Sequence, residues 1–275
     1  MPDPGRPQSL RLTEITLGEM SAHRPDNPES EPVLQEYLSV LAADWIRAME
    51  PHFDVLIALA RPAAADTLEV SPREVAHSIS IMVMTAFLME SNAGRLAALG
   101  RLPRASVTGG RSTPGTDLDA VDLIRDALSD APEDRAAWES VHELFVVRDV
   151  LAHNHVLRIV LQRPSRDWDT SPTLQDVAAI RGRVNTVKYR SSVDPSTFRT
   201  KLLGLHVIPT MVRRWDVAQS LPIVVSTLDR LADCDIPNMR SLADDNFRIG
   251  GRLTTLRDVA VRLGAGHRAG RSGSQ

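Results

Sequence analysis

Apolar positions recur at helical spacing along most of the chain. Val33, Leu34, Tyr37, Leu38, Leu41, Trp45 and Ile46 lie three or four residues apart, which predicts a helix ended by Pro51. A further short helix is predicted from Phe53 to Ala60, stopped at Arg61-Pro62. Ser71-Pro72-Arg73-Glu74 places an N-capping serine, a first-turn proline and a glutamate in the order that opens a helix. That helix is expected to run to about Leu99, with Val75, Ile79, Met82, Val83, Ala86, Ala93 and Ala97 on its apolar stripe and Gly100 closing it. Glu90 falls on the same stripe. Another helix is expected from Asp117 to Leu128.

The most informative stretch follows Ala131-Pro132-Glu133-Asp134, a strong helix start. Trp138, Val141, Leu144, Phe145, Val147, Val150, Leu151, Val156, Ile159 and Val160 spread over several faces of one helix predicted to reach Leu161. A helix apolar on several faces is covered on several sides. Residues 163–208 are more polar and interrupted by Pro164 and Pro172, although Leu174, Val177, Ile180 and Val184 predict a helix from Thr173 to Val187. Beyond it, either a hairpin around Asp194-Pro195 or irregular structure fits. A helix kinked at Pro222 is expected from Pro209 to Leu231, then a loop over 235–251, and a terminal helix from Leu253 to Leu263. The fold class is therefore all-α: a helical bundle over residues 33–234 with an irregular insertion around 163–208. A loose arm, 1–32, precedes it, with one short ordered piece near Leu10 to Leu17. A C-terminal extension, 235–275, ends in a basic tail without fixed structure.

Composition narrows the function classes. Hydrophobic residues make up 43% and charged residues 24%, ordinary values for a globular protein. Aromatic residues are only 4%, so the core rests on aliphatic side chains and methionine. A net charge of -3 gives no global attraction to nucleic acid, though a local basic cleft is compatible with it. Lysine occurs only at Lys188 and Lys201, a bias toward arginine that reads as genomic composition. Cys234 is the single cysteine, which excludes an intrachain disulfide and a cysteine-based metal cluster. The proline-rich, acidic start does not resemble a signal peptide, and no apolar run reaches the roughly 18 residues of a membrane span. A cytoplasmic protein with no membrane partner is the expectation.

The candidate chemistry lies in Arg148-Asp149-Val150-Leu151-Ala152-His153-Asn154-His155. Ionisable groups inside so apolar a stretch need partners, because an unpaired buried charge costs roughly several kcal/mol. Arg148 and His153 with four residues between them, a polar Asp149 after the arginine, and an apolar helical setting resemble the motif helix of the HEPN family. HEPN domains are helical bundles whose motif is Arg, four to six residues, then His. Here the resemblance covers roughly residues 33–161 and the helix from Pro209. His155 satisfies the six-residue spacing, so the working histidine is His153 or His155. Arg47…His52, Arg199…His206 and Arg262…His267 also satisfy the bare spacing but lack the setting.

The resemblance implies a homodimer through the helix from Trp138 to Leu161, RNA as the partner, no cofactor and no metal. It also implies a metal-independent endoribonuclease, toxin-like and serving defence or stress response. In that reaction the 2′-hydroxyl attacks the adjacent phosphate and leaves a cyclic phosphate. His153 would carry protons, Arg148 would stabilise phosphate charge, and Asp149 or Asn154 would orient the ring or the ribose. The alternative is a catalytically inactive HEPN-like module that dimerises or binds RNA. A wholly structural account pairs Arg148 with Glu90 or Glu143. A third reading, DNA binding by the arginines at 248, 252, 257, 262 and 268, competes with an ordinary solvated face. The Gly-rich segment 101–116 lacks the Gly-Lys-Ser/Thr ending of a phosphate loop, His142-Glu143 lacks the zinc-helix spacing, and no nucleophile elbow is present. Neither the RNA nor any antitoxin partner can be read from the residues.

Overall fold

A computed structural model describes residues 12–14, 36–38, 41–59, 67–98, 117–128, 132–152, 158–162, 172–181, 187–234 and 240–271. Helices dominate it. They are α1 (Ala42–Ala58), α2 (Pro72–Ala98), α3 (Asp117–Ala127), α4 (Pro132–Ala152), the short α5 (Val187–Arg190), α6 (Arg214–Asp233) and α7 (Leu256–Arg271). Four two-stranded sheets accompany them. The strands are β1 (Leu12–Glu14) parallel to β2 (Glu36–Leu38), and three antiparallel pairs: β3 (Arg158–Leu161) with β4 (Val177–Arg181), β5 (Val193–Asp194) with β6 (Arg199–Thr200), and β7 (Phe247–Ile249) with β8 (Arg252–Thr254).

The long α2 is the hub, packed on by α1, α3, α4 and α6. It starts where the sequence signals: Ser71 Oγ accepts the Glu74 N–H at 3.1 Å, and Pro72 needs no donor in the first turn. Ile81, Met82, Ala86, Leu88, Met89, Ala93 and Leu96 are buried along it. Each large aliphatic side chain buried here contributes about 1.5–3 kcal/mol.

Several predicted boundaries are corrected. Pro51 does not end a helix; it lies inside α1 on an exposed position, while Met49, Phe53 and Leu56 on either side are fully buried. Packing of that stripe offsets the roughly 3 kcal/mol that an interior proline costs. The helix predicted from Val33 begins later, because Glu36–Leu38 pairs as β2 with β1, which is itself the ordered piece expected near Leu10 to Leu17. The motif helix is described over Pro132–Ala152, and Arg158–Leu161, predicted to continue it, is a strand. The expected helix from Thr173 to Val187 is replaced by a 3-10 turn, Leu174–Asp176, and by β4. Val156, Ile159, Val160 and Val177 are β-branched, and a short apolar run of this kind suits a strand as well as a buried helix. Cross-strand pairing of Ile159 with Ile180 and Val160 with Ala179 decides between them.

Of the two forms open for Thr186 to Leu205, a hairpin does form, between β5 and β6. The predicted loop at 235–251 contains β7, which turns into β8 through Gly250 and Gly251 at φ 57° and 77°. Two successive positive-φ residues are what a tight hairpin turn requires. The terminal helix starts at Leu256, three residues later than expected, and continues to Arg271 instead of giving way to an unstructured tail at Gly264. Phe247, Ile249, Leu256, Val259 and Leu263 join the same buried cluster as α1 and α6. Among the described residues no helix is long and apolar enough to cross a membrane.

Candidate functional site

Arg148 projects from α4 toward α2. Its Nη2 lies 3.7 Å from Glu90 Oε2, and its guanidinium carbon sits 5.6 Å from the Phe87 ring centroid and 5.8 Å from that of Phe145. Phe87 precedes Glu90 by one turn on α2, and Phe145 precedes Arg148 by one turn on α4, so each pair shares a helix face and the packing of α4 on α2 brings the four groups together. Trp45 from α1 packs on Phe87 with centroids 5.0 Å apart and donates its indole N–H to Ser91 Oγ at 3.2 Å. The arginine side chain is 14% exposed and Glu90 36%. The site therefore lies at the rim of the core, and the aromatic faces hold the cation as much as the carboxylate does.

The other embedded polar residues of α4 serve the segment that follows it. Glu143, buried, accepts the Leu202 N–H through Oε1 at 2.9 Å and the Leu203 N–H through Oε2 at 2.8 Å. Asp149, also buried, accepts a hydrogen bond from the Tyr189 hydroxyl on α5. Burial, reinforced by that bond and by the negative charge of Asp149, pushes the Tyr189 hydroxyl well above its usual range. His142 Nδ1 lies 3.5 Å from Ser192 Oγ. Side chains of α4 thus hold Tyr189, Ser192, Leu202 and Leu203, part of the predicted insertion that the sequence left without a role.

Of the seven candidate residues, Arg148 and Glu90 are brought together, whereas Glu143 and Asp149 are directed to separate structural partners. His153, Asn154 and His155 lie outside the described residues. Among the described residues no group of three or more His, Cys, Asp or Glu side chains could hold a metal ion.

Two histidine arrangements went unrecognised in the sequence. His206 Nδ1 lies 3.0 Å from both carboxylate oxygens of Asp216, and that carboxylate also accepts the backbone N–H groups of His206 at 2.8 Å and Arg213 at 2.9 Å. Both side chains are 1% exposed. The His206 ring meets Trp215 edge-on, and the Arg199 guanidinium carbon lies over the Trp215 ring, 5.2 Å from its centroid. Asp216 sits at the third position of α6, where a carboxylate commonly reaches back to the cap, and this was the available signal. The second arrangement joins α1 to α2: His52 Nδ1 and His77 Nδ1 are 2.9 Å apart.

These features define a helix-dominated protein with a rim-placed arginine–glutamate pair. No protein-family model, curated protein or solved structure matches the chain.

Proposed function

We propose that the chain is a HEPN-like helical protein that cleaves RNA without a metal, with Arg148 as the phosphate-facing cation and His153 or His155 as the proton carrier. The observation supporting this reading is the setting of Arg148. Its guanidinium lies against Glu90 and the rings of Phe87 and Phe145, five residues before His153 in the sequence. An arginine oriented before substrate arrives stabilises developing phosphate charge without reorganising. Glu90 acts as the positioning residue. The histidine takes the 2′-hydroxyl proton as the oxygen attacks phosphorus, and a protonated group returns a proton to the departing 5′-oxygen. Asp149, occupied by Tyr189, supports the fold, which leaves Asn154 to orient the ring or the ribose. A second copy of the chain completes the cleft, as the resemblance implies.

A second reading, a non-catalytic HEPN-like interaction or RNA-binding module, is favoured by a separate observation. Arg148 is mostly covered, and the carboxylates of Glu143 and Asp149 have intramolecular partners. The deciding experiment is incubation of a mixed RNA pool with purified protein in EDTA, alongside Arg148→Ala, His153→Ala and His155→Ala. Cleavage leaving cyclic phosphate ends, lost in Arg148→Ala and in one histidine variant, supports the ribonuclease. Folded wild-type protein that retains RNA or self-associates without cutting supports the module.

A further inference from the structure

We infer that His52 and His77 form a two-histidine site for a divalent transition metal, zinc in the first instance, bridging α1 and α2. The two rings come from different helices and are both partly exposed, so an ion can reach them from solvent. Their Nδ1 atoms face each other at 2.9 Å, with ring centroids 5.1 Å apart. In the metal-free state one Nδ1 carries the proton and donates to the other.

The ring spacing suits an ion. Two imidazoles aimed at one tetrahedral zinc, with bonds of about 2.0 Å, have nitrogens about 3.3 Å apart and centroids about 5.2 Å apart. The centroids already stand at that separation. Tilting the rings so that the nitrogens part by about 0.4 Å opens the position. The shared proton then leaves Nδ1, moving to Nε2 of the same ring or, from a cationic ring, to solvent. Imidazole nitrogen is a favoured ligand for zinc, nickel and copper.

Among the described residues the pair belongs to no larger His, Cys, Asp or Glu group, and in the proposed site water completes the coordination. Two protein ligands make a site of modest affinity that is filled by mass action. At free zinc about a hundred times the dissociation constant, the folding equilibrium shifts about a hundredfold toward the native state.

The test uses full-length, tag-free protein stripped with EDTA, exchanged into chelator-free buffer and titrated with zinc chloride by calorimetry. His52→Asn and His77→Asn keep a hydrogen-bonding amide near the Nδ1 position and remove the ligand. One zinc per chain is expected for the wild type, with affinity at least about tenfold weaker in each variant. Long-range 1H–15N spectra of the wild type give a readout that needs no variant: zinc should move the Nδ1 resonances of His52 and His77. Equal zinc affinity in wild type and both variants, no binding at about 1 mM zinc, or zinc-induced shifts confined to other histidines would each overturn the assignment.

Discussion

The Arg148 guanidinium lies 3.7 Å from the Glu90 carboxylate and packs against the rings of Phe87 and Phe145, so one side chain joins α4 to α2 by charge and by apolar contact. The two contributions differ in size. Glu90 is more than a third exposed and the pair is longer than a hydrogen bond, so solvent screens it. Arg148→Ala should cost about 2 kcal/mol through lost packing, and Glu90→Gln less than about 1 kcal/mol. Urea denaturation measures both. Equal losses would show that the ion pair, not the aromatic setting, holds α4 against α2.

Asp216 gathers three donors in the core: the backbone N–H groups of His206 and Arg213 and the His206 ring. Asp216→Asn turns one acceptor oxygen into a donor facing other donors, and should cost about 3 kcal/mol or more. Glu143→Gln, which disturbs two backbone bonds at Leu202 and Leu203, should cost about 1–3 kcal/mol. Amide exchange should rise at residues 202–206 in both variants. An unchanged exchange pattern there would refute the anchoring role of these carboxylates.

Tyr189 should resist ionisation for as long as the protein is folded. Its proton is retained by burial first, then by the bond to Asp149 and that carboxylate's charge. An acid whose folded pKa is raised contributes stability below its unfolded value of about 10, and that stability is lost as pH rises above it. The chain has two tyrosines, Tyr37 and Tyr189. Absorbance at the phenolate band should show one resistant group that ionises only on alkaline unfolding and is missing from Tyr189→Phe. Two tyrosines titrating together near pH 10 would contradict the contact.

His52 gives the opposite dependence on the acid side. Burial, and then the neighbouring His77, lower its pKa below the ordinary histidine value. The neutral ring is favoured in the fold, so its contribution is present above about pH 6.5 and falls away as acid protonates it. Thermal melts in EDTA should therefore show a steeper loss of stability from about pH 7 to 5 in wild type than in His52→Asn. Parallel curves would mean that neither burial nor His77 disfavours the charged His52 ring in the fold.

Local signals carried the start of α2, the span of α3 and the helical character of α4, because a capping serine, a first-turn proline and three-to-four spacing act within a few residues. The Gly250-Gly251 pair was also a readable hairpin signal, and its flanking strands are short enough to pass for loop. The pairing of Arg148 with Glu90 was open in the sequence as one of two partners. Five residues from Arg148 on one helix, Glu143 stands about 140° round from it, which disfavours that pair. The donors it accepts from instead, the Leu202 and Leu203 N–H groups, lie some sixty residues on and come near only in the fold.

The residues by themselves determined a helix-rich chain with a polar cluster embedded in its most apolar helix. Tertiary structure decided where that helix stops, that α1 runs through Pro51, and which carboxylate meets which donor. Helix propensity and capping are short-range energies written in adjacent residues. Strand pairing between β3 and β4, burial around Pro51 and the His52–His77 contact depend on groups that only folding brings within a few ångströms of each other.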